Sequence, residues 1–495
     1  MEQNGGCAQP RCEEVGGDVA ELQALCARMR AASLREPPPP LRERRVRLDA
    51  LRGAIAARRE EIADKIDADF GGRSRHETLL AEVWLTLSSI AHARSHLRAW
   101  MRPERRPVNW PFRPARARVI PGPKGVVGII APWNYPFSLA MIPFASAIAA
   151  GNRVILKPSE FAPRTAALIA RIVGEALPPE CAAVVTGGAD VGAALSRLPL
   201  DHLLFTGSAR VGAEILREAS ANLTPVTLEL GGKSPAILAE GFPLDVFARR
   251  VAAGKLFNAG QTCVAPDYVL APEDAVAPLV AALRASIARL YPSLRRNPDY
   301  TAIINDAHIA RLKAYLADAR ERGAEVIIID PAGEGPLDDV RKLAPALLCN
   351  APPEARVMQE EIFGPLLPIV GYRGLDAAIA YVNARPAPLA LYCFDRDARR
   401  VEDILARTRS GTVCVNDTVL QAAQDALPFG GIGPSGMGAY HGREGFMTFS
   451  HARAVLYQHR WPLAALLRPP YGAMFERVLR LLIGRPRDKE TPCGK

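Results

Sequence analysis

The sequence predicts an α/β protein with two doubly wound parallel-sheet domains, and three observations support that fold class. First, 495 residues are too many for one hydrophobic core, so two or three domains are expected. Second, short apolar runs alternate with amphipathic segments after residue 123, which is typical of parallel strands joined by helices. Third, a second series of this kind begins near residue 225. A nucleotide commonly binds at the carboxyl ends of the strands in such sheets.

The first hundred residues predict helices. Residues 19–29 place apolar side chains at helical spacing, and the four prolines at 37–40 end that helix. A second amphipathic run covers residues 41–72 and ends in two glycines, where a left-handed C-cap is expected. A third run, residues 77–101, leads into a stretch rich in arginine and proline.

The two α/β segments can be assigned strand by strand. In the first, the predicted strands are GVVGIIAP, RVILKP, AAVVTGG and HLLFTGS, and the predicted helices are TAALIARIVGEAL and RVGAEILREASANL. In the second, the predicted strands are VTLEL, PAILAE, DYVLAP, AEVIIID and GTVCVND, and the segment ends near residue 424. The two segments are expected to share one cleft.

The chain is basic, with a formal net charge of +10, and arginines are dense in RAWMRPERRPVNWPFRPARAR at 98–118. That stretch has no nucleic-acid-binding motif and prolines interrupt it, so a solvated surface or a subunit contact is the simpler interpretation. The positive charge also favours acidic ligands such as a dinucleotide. No nucleic-acid partner is predicted.

Cysteine usage and terminal composition indicate the compartment. The nine cysteines form no C-x-x-C pair, so neither a disulfide framework nor a metal site is indicated, and a reducing compartment is expected. The N-terminal stretch MEQNGGCAQPRCEEVGGD lacks the apolar region of a secretory signal. The sequence has no apolar run of roughly eighteen residues, the minimum for a transmembrane helix. We expect a cytoplasmic protein without a transmembrane segment.

Cys263 is the first candidate for chemistry. It lies in NAGQTCVAPDYVL at 258–270, with no histidine and no second cysteine in that stretch. A free thiol is only slightly ionised at neutral pH, so a nucleophilic role requires backbone dipoles, a cation or a base nearby. A buried structural cysteine is the alternative.

Glu229 is the second candidate, in VTLELGGKSP at 226–235. In an extended strand Glu229 and Thr227 face opposite to the three apolar residues. A carboxylate in such a strand is costly to bury unless it is paired, protonated or functional. A structural glutamate with a satisfied partner is the alternative.

Two polar loops follow apolar strands. Asn134, in APWNYPFS, supplies an amide in a loop that two prolines restrict, and a fixed amide can donate to a developing oxyanion. Lys157 and Glu160, in KPSE, lie at the end of a strand, where ribose hydroxyls could bind. Either loop alone could be an ordinary connection.

Two glycine-rich turns have different interpretations. In FTGSARVG, Gly207 and Gly212 frame a turn between a strand and a helix, which suits a phosphate at a helix N-terminus. The literal G-x-G-x-x-G in GIGPSG at 431–436 is interpreted as a decoy, because it follows LPFG instead of a clear strand and contains a proline.

Seven motifs, in this order, resemble the aldehyde dehydrogenase superfamily. They are APWNYP, KPSE, FTGSARVG, LELGGKSP, GQTCVAPDYVL, EEIFGPLLPI and LPFGGIGPSGMGAYHG, and the resemblance covers about residues 41–457. The stretches VAPDYVL and SGMGAYHG resemble the class 3 branch. Within that branch, FGGRSRHETLLAEV, FRPARARV and LTPVTLELGGKSP are most like bacterial coniferyl aldehyde dehydrogenases.

The resemblance implies the NAD(P)-dependent oxidation of an aldehyde to a carboxylic acid. Cys263 would attack the aldehyde to give a thiohemiacetal and then a thioester, and the Asn134 amide and the Cys263 backbone N–H would hold the oxyanion. Glu229 would be the general base for the water that hydrolyses the thioester. No metal takes part. The implied cofactor-binding residues are Trp133, Lys157, Glu160, Gly207, Ser208, Gly212, Glu361 and Phe363. Because the Glu160 carboxylate would repel a 2′-phosphate, NAD⁺ is expected to be preferred to NADP⁺.

The resemblance also implies a domain organisation and a homodimer. The expected parts are an N-terminal extension (1–35), a Rossmann-like NAD-binding domain (36–101 and 122–225), a catalytic domain (226–424), a small β oligomerisation arm (102–121 and 425–457) and a C-terminal tail (458–495). The tail is too interrupted to span a bilayer, but its VLRLLIG segment could lie on a membrane surface.

Several functional alternatives remain open. The preferred substrate is an aromatic aldehyde, with coniferaldehyde giving ferulate, and a medium- or long-chain aliphatic aldehyde is the alternative. A thioesterase or acyltransferase could use Cys263 and Glu229 without redox chemistry. A binding protein without activity, contacting nucleic acid through residues 98–118, is the third possibility.

Overall fold

The computed structural model describes residues 18–483, with the side chain of residue 463 excepted. Within that range the helices are α1 (Val19–Arg35), α2 (Leu41–Ala57), α3 (Arg59–Phe70), α4 (Arg75–Thr78), α5 (Leu85–Trp100), α6 (Ser138–Ala150), α7 (Pro163–Ala176), α8 (Ala189–Ser196), α9 (Ala209–Ser220), α10 (Leu244–Leu256), α11 (Val276–Leu290), α12 (Asp306–Glu321), α13 (Arg356–Gln359), α14 (Leu375–Asn383), α15 (Ala398–Arg407), α16 (Gly442–Thr448) and α17 (Ala473–Ile483). A π-helical stretch, Leu79–Trp84, joins α4 to α5.

The strands follow the predicted order. They are β1 (Glu104–Arg106), β2 (Arg116–Pro123), β3 (Val126–Ile130), β4 (Arg153–Lys157), β5 (Ala182–Val184), β6 (His202–Thr206), β7 (Val226–Glu229), β8 (Pro235–Leu238), β9 (Tyr268–Pro272), β10 (Glu325–Ile328), β11 (Ala346–Cys349), β12 (Leu366–Tyr372), β13 (Ala390–Phe394), β14 (Thr412–Val415), β15 (Gly436–Met437) and β16 (Ser450–Tyr457). Of these, β1, β2, β15 and β16 fall within or overlap the range of the expected β arm, and three others, β11, β12 and β13, were not predicted at all.

Most strands belong to two largely parallel sheets. A six-stranded sheet has the order β15-β7-β6-β3-β4-β5, and a seven-stranded sheet has the order β10-β11-β12-β9-β8-β13-β14. Each sheet has one antiparallel edge strand, because β15 runs against β7 and β10 runs against β11. The predicted doubly wound sheets are therefore present, but both are mixed.

The six-stranded sheet aligns its strand ends at one edge. In the pairing register Ile130 is opposite Lys157 and also opposite Phe205, and Thr206 is opposite Glu229. Parallel strands in register place their carboxyl ends together. The loops that follow β3, β4, β6 and β7 therefore leave the sheet at the same edge.

The change from one sheet to the other falls after β7. The VTLEL strand pairs with β6 in the six-stranded sheet, so the boundary expected at residue 226 separates two paired strands. Residues 230–234, with Gly232 at φ 147°, carry the chain from β7 to β8 in the seven-stranded sheet. Backbone hydrogen bonding across strands, which the apolar pattern does not encode, sets this boundary.

The N-terminal helices are more closely integrated than expected. The side chains of α1 that join the core of the six-stranded sheet are Leu22, Leu25, Cys26 and Met29, although residues 1–35 were expected to be an extension. The run at 41–72 is interrupted at Arg58, which leaves helical geometry at φ −112° and ψ 18°. It ends as predicted at Gly71, which is in the left-handed region at φ 70°.

Two compact units divide the described chain. One contains the residues up to Leu97 together with Pro123–Ser450, and the other contains Arg98–Gly122 together with the residues from His451 onward. The second unit carries most of a three-stranded sheet of order β1-β2-β16, which matches part of the predicted β arm. Residues 425–449 of that predicted arm lie in the first unit, where β15 completes the six-stranded sheet.

Three other expectations concern the termini and the membrane. In residues 18–483 no helix is both long enough and apolar enough to cross a bilayer. The VLRLLIG segment continues α17 to Ile483 and then passes outside the described residues. The N-terminal stretch examined for a secretory signal also lies outside them, apart from its last residue.

Candidate active site

A cleft of about 1030 Å³ in the first unit collects nearly all the predicted site residues. Those lining it are Trp133, Asn134, Lys157, Glu160, Gly207, Ser208, Glu229, Cys263, Glu361 and Phe363. Gly212 is the exception. A Cβ there would come within 2.8 Å of Leu230, so Gly212 allows α9 to pack closely on the end of β7.

Cys263 follows a turn with unusual backbone geometry. After α10 the chain passes through three consecutive left-handed residues, Asn258 (φ 53°), Ala259 (φ 52°) and Gly260 (φ 78°). Only glycine adopts this conformation without steric cost, and strained backbone persists where surrounding contacts hold it. A Cβ at residue 260 would lie 2.3 Å from the Gly364 carbonyl oxygen, so this position requires glycine for space as well.

Side-chain hydrogen bonds hold this turn. Gln261 is fully buried, and its Nε2 donates to the carbonyl oxygens of Asn258 (3.1 Å) and Ala302 (3.0 Å). Its Oε1 accepts from the backbone N–H of Ile304 at 3.0 Å. Thr262 Oγ1 lies 2.7 Å from Tyr135 Oη. The residue before the thiol is therefore tied to the loop that carries Asn134.

Cys263 is partly exposed as a residue and lines the cleft, so it is not sealed in packed hydrocarbon. Surrounding protein raises its pKa to about 12, and the nearby carboxyl groups of Glu361 and Glu229 contribute to the rise. The backbone N–H groups of Cys263 and Val264 hydrogen-bond to the sulfur and oppose it. At neutral pH the resting sulfur is a thiol, so it becomes nucleophilic when a proton acceptor or a cation enters the cleft.

Asn134 presents a fixed amide beside this turn. It is buried, and its Nδ2 donates to the Gln261 carbonyl oxygen at 3.1 Å. An amide nitrogen carries two hydrogens, so one remains for another acceptor. The Asn134 carbonyl oxygen accepts from Arg73 Nη1 (2.9 Å) and from Asn258 Nδ2 (3.0 Å). These bonds fix the backbone from which the amide projects.

Glu229 ends β7 as a buried and unpaired carboxyl group. Neither of its side-chain oxygens has a hydrogen-bond partner in the described protein. Burial raises the pKa of Glu229 well above its ordinary value. The alternative of a structural glutamate with a satisfied partner therefore does not fit this environment. A desolvated carboxylate is a stronger base than an exposed one, which suits proton transfer.

Glu361 is a second buried carboxyl group in the cleft. Its Oε1 has no hydrogen-bond partner in the described protein, and its pKa is raised to about 8, mainly by burial. It packs over Gly231, where a Cβ would lie 2.2 Å from Oε1. The Lys255 ammonium interacts electrostatically with the Glu361 carboxyl group, and burial lowers the pKa of this ammonium to about 8.

An aromatic group lies beside Glu361. The Trp133 ring contacts Phe363 edge-on at a centroid distance of 5.3 Å and His308 at 4.9 Å. Phe363 has a left-handed backbone at φ 49°. Arg311 supports it, because its guanidinium donates to the carbonyl oxygens of Ile362 (2.8 Å) and Phe363 (3.4 Å).

Three cleft residues on α12 were missed from the sequence. They are His308, Arg311 and Tyr315. No motif marked them, and their amphipathic pattern is that of an ordinary surface helix. Long-range packing of α12 places them in the cleft, so no local signal could have identified them.

Polar groups at the ends of β4 and β6 have partners. Lys157 is buried, and its Nζ donates to Glu160 Oε2 at 2.8 Å and to the Pro158 carbonyl oxygen at 3.3 Å. Ser208 is the N-cap of α9 and accepts from the Val211 N–H at 3.4 Å. The N-terminus of α9 therefore lines the cleft, and because the first N–H groups of a helix have no intrahelical acceptor, this position suits an anion.

The GIGPSG stretch does not contribute a phosphate-binding loop. It forms a short 3₁₀ turn, Gly433–Ser435, followed by β15, and no residue of 431–436 lines the cleft. A conventional dinucleotide fingerprint connects a strand to a helix, whereas this stretch leads from a loop into a strand.

The cleft fits a dinucleotide by its own chemistry. It offers a helix N-terminus for phosphate and a Lys157–Glu160 pair for hydroxyl groups. It also offers Glu361 Oε1, which has no hydrogen-bond partner in the described protein and packs over Gly231, where any side chain would clash with it. A pyrophosphate favours helix N-terminal amides, and ribose hydroxyls favour carboxylate acceptors.

Comparisons with known proteins agree with this site. The family model described as "Aldehyde dehydrogenase family" matches residues 10–455. A "Probable coniferyl aldehyde dehydrogenase" of Pseudomonas aeruginosa is 48% identical over 94% of this chain and 97% of its own. "Aldehyde dehydrogenase family 3 member B3" of Mus musculus is 41% identical, with 86% and 87% coverage. A Mycobacterium tuberculosis aldehyde dehydrogenase solved with NAD⁺ has a TM-score of 0.82 at 30% identity, with 90% and 91% coverage, and confirms the α/β fold class.

Proposed function

This chain belongs to the aldehyde dehydrogenase family and is an NAD(P)-dependent oxidoreductase that converts an aldehyde to a carboxylic acid, and we propose that its substrate is a phenylpropenal. Coniferaldehyde, giving ferulate, is the specific candidate. The observation that carries this proposal is 48% identity, over nearly the whole length, to a relative named for coniferyl aldehyde.

The first chemical step belongs to Cys263. Solvent in the open cleft takes the proton of the Cys263 thiol, the sulfur adds to the aldehyde carbon, and the carbonyl oxygen becomes the alkoxide of a thiohemiacetal. The Nδ2 of Asn134 and the backbone N–H of Cys263 donate to this oxygen. Such donors stabilise the charge that develops in the transition state, and each is worth about 3 kcal/mol.

The second step belongs to Glu229. When bound, the oxidised nicotinamide supplies an acceptor for the hydride, and loss of that hydride leaves a thioester on Cys263. Glu229 removes a proton from the water that attacks the thioester; the C–S bond then breaks, the carboxylic acid is released, and the Cys263 sulfur takes up a proton again. Burial raises the pKa of Glu229, and a carboxylate with a raised pKa is a stronger base for this proton transfer.

The residues that would hold the cofactor divide by chemistry. Ser208 and the N-terminus of α9 would bind phosphate, and Lys157 with Glu160 would bind a ribose. Glu361 would accept from the other ribose, with Trp133 and Phe363 beside the nicotinamide. We propose a preference for NAD⁺ over NADP⁺. The Glu160 carboxylate would repel the 2′-phosphate of NADP⁺, and Lys157, which is already paired with Glu160, would attract that phosphate less strongly.

A homodimer in the cytoplasm completes the proposal. The second unit exposes large apolar side chains, which favour a subunit contact. They include Trp110, Phe112, Leu456, Tyr457 and Trp461. A cofactor-binding domain built on the six-stranded sheet and a catalytic domain built on the seven-stranded sheet are part of the same proposal. A reducing compartment suits the mechanism, because Cys263 must remain a free thiol.

A turnover panel tests the proposed function. Purified protein is mixed with NAD⁺ or NADP⁺ and with coniferaldehyde, benzaldehyde or a long-chain alkanal, and NADH or NADPH absorbance is followed. The proposal predicts the highest kcat/KM with coniferaldehyde and NAD⁺. A higher kcat/KM with the alkanal would move the substrate to the aliphatic class. Hydrolysis of an added ester, with no increase in NADH or NADPH absorbance from any aldehyde, would favour a non-redox thioesterase.

A further inference from the structure

A short segment before α5 contacts both loops of the active site. We call residues 73–84 the clamp segment. It contains α4 and the π-helical stretch Leu79–Trp84, which inserts an extra residue into the helix. Single π-helical turns of this kind are concentrated at functional sites, because they redirect side chains.

Arg73 opens the clamp segment and holds the Asn134 loop. Its guanidinium is fully buried and lies between the Phe70 ring (4.7 Å) and the Tyr135 ring (5.0 Å). Its Nη1 donates to the Asn134 carbonyl oxygen at 2.9 Å. The side chain therefore fixes the peptide that carries the Asn134 amide.

Glu82, in the π-helical stretch, holds the other side of the same loop. Its Oε2 accepts from the backbone N–H groups of Phe137 (2.9 Å) and Ser138 (2.8 Å), where α6 begins. The Oε1 of Glu82 lies 3.7 Å from Arg73 Nη2, and both side chains are fully buried. One ion pair thus anchors the chain at Asn134 and again at the start of α6.

Glu77 connects the clamp segment to the cysteine turn. Its Oε2 accepts from the backbone N–H of Asn258 at 2.9 Å and from Thr301 Oγ1 at 3.3 Å. Asn258 has the left-handed backbone described above, and its Nδ2 donates to the carbonyl oxygens of Asn134 and Gln261, both at 3.0 Å. The Asn134 carbonyl is therefore held from two directions.

The Arg73–Glu82 pair is poorly arranged for stability alone. Arg73 Nε and Nη2 and Glu82 Oε1 have no hydrogen-bond partner in the described protein. A buried ion pair with unsatisfied polar atoms often stabilises a fold less than apolar residues of the same volume would. What the pair does provide is fixed geometry at the Asn134 carbonyl and at the start of α6.

We propose that Arg73, paired with Glu82, is a positioning residue that aims the Asn134 amide at the oxyanion formed on Cys263. This inference rests on the proposed function, and it concerns how the amide is placed. Removal of the guanidinium would leave the Asn134 carbonyl held by Asn258 alone. A displacement of about 1 Å in a catalytic group can lower a rate about 10²-fold.

A double-mutant cycle tests the proposal. Arg73→Met, Asn134→Ala and the double variant are compared with the wild type by the rate of the first NADH turnover at saturating coniferaldehyde and NAD⁺. Arg73→Met should lower that rate about 10- to 100-fold. In the Asn134→Ala background the same substitution should change the rate less than about 2-fold, because the group it positions is absent. Arg73→Lys, which keeps the charge, should recover part of the rate.

Two further measurements separate positioning from general damage. Alkylation of Cys263 by iodoacetamide requires no oxyanion held by Asn134, so Arg73→Met should leave its rate within about 2-fold of wild type. Arg44→Met is the matched control, because Arg44 is also buried and donates to the Ala149 carbonyl oxygen (3.0 Å) near the far end of α6. It should lower the melting temperature without coupling to Asn134→Ala.

If Arg73→Met lowers the first-turnover rate by the same factor in the wild-type and Asn134→Ala backgrounds, or lowers it in neither, the proposal is overturned and the proposed function stays intact. Absence of NADH from the wild type with every aldehyde would overturn the proposed function and this inference with it. If Arg73→Met does not fold, Arg73→Lys replaces it in the cycle, with a smaller loss that must also disappear in the Asn134→Ala background.

Discussion

Two groups of residues line the same cleft and differ in how their charges are satisfied. At the ends of β4 and β6, Lys157 is paired with Glu160 at 2.8 Å and Ser208 caps α9. At the end of β7 and beyond, Glu229 has no hydrogen-bond partner for either oxygen, and Glu361 lacks one for Oε1, in the described protein. We call Lys157, Glu160 and Ser208 the binding group, and Glu229 with Cys263 the reaction group; Glu361, a proposed cofactor contact, belongs to neither.

The difference shows where the fold accepts an energetic cost. Paired polar groups need little compensation, whereas buried unpaired carboxyl groups destabilise the folded state. Perturbed titratable groups in a cleft are candidates for proton transfer and nucleophilic chemistry. The reaction group is therefore expected to control rates, and the binding group to control ligand affinity and stability.

The largest expected effect comes from Cys263→Ser. A serine hydroxyl at this position has no histidine to activate it, so the account predicts loss of both the first turnover and steady-state activity, by about 10⁴-fold or more. Rapid-mixing absorbance at saturating substrates measures both phases. Since only one atom changes, NAD⁺ affinity by calorimetry should remain close to wild type. Retained activity would remove the sulfur from the reaction group.

Glu229→Gln should separate the two chemical steps. The thioester can form but its hydrolysis loses its base, so a burst of NADH should precede a steady state slowed by about 10²- to 10⁴-fold. The burst amplitude should approach one NADH for each active site. Equal steady-state rates for the variant and the wild type would exclude Glu229 as the base.

Asn134→Ala should slow the first turnover by about 10²- to 10³-fold, because it removes one oxyanion donor. The loss should be in kcat, with coniferaldehyde KM changed much less, since the alkoxide does not exist in the bound aldehyde. Stopped-flow and steady-state rates together give this division. A loss confined to KM would contradict an oxyanion role.

The smallest effects concern the melting temperature, which substitutions in the two groups should shift in opposite directions. The pKa of Glu229 is raised in the folded protein, so above about pH 4.5 the unfolded chain binds fewer protons at this residue than the folded chain does. The free energy of unfolding therefore falls as the pH rises, and the ionised group destabilises the folded state. Glu229→Gln should therefore raise the melting temperature, and by more at pH 8 than at pH 5. Glu160→Gln should lower it, because it leaves the buried Lys157 ammonium without its carboxylate.

Differential scanning calorimetry at both pH values tests this pair of variants. A lower melting temperature for Glu229→Gln, or the same sign for both substitutions, would show that the binding and reaction groups do not differ in this way.

Local patterns predicted the fold class and most of the site. Apolar runs gave the strands that lead into Asn134, Lys157 and Ser208, and parallel strand order explains why these residues meet. Pairing across strands was not predictable, so VTLEL was assigned to the wrong side of a sheet boundary. Neighbouring strand hydrogen bonds decide that question, and they leave no mark in the sequence of one strand.

Residues that act through distant contacts were also missed. Arg73 lies between two predicted helices, and Glu77 and Glu82 lie in the amphipathic run at 77–101. The partners of all three are more than 50 residues away along the chain. The π-helical register that turns Glu82 toward α6 has no known short sequence signal. The literal glycine motif at 431–436 shows the converse, since a matching pattern without the strand-to-helix context lies outside the cleft.

The central claim is that the substrate becomes covalently attached to Cys263 during turnover. Glu229→Gln is mixed with coniferaldehyde and NAD⁺, quenched in acid within the burst and digested for mass spectrometry. The account predicts a feruloyl group on the peptide that contains Cys263, formed in step with NADH and absent from Cys263→Ser. NADH produced without that adduct, or with the adduct on another cysteine, would contradict it.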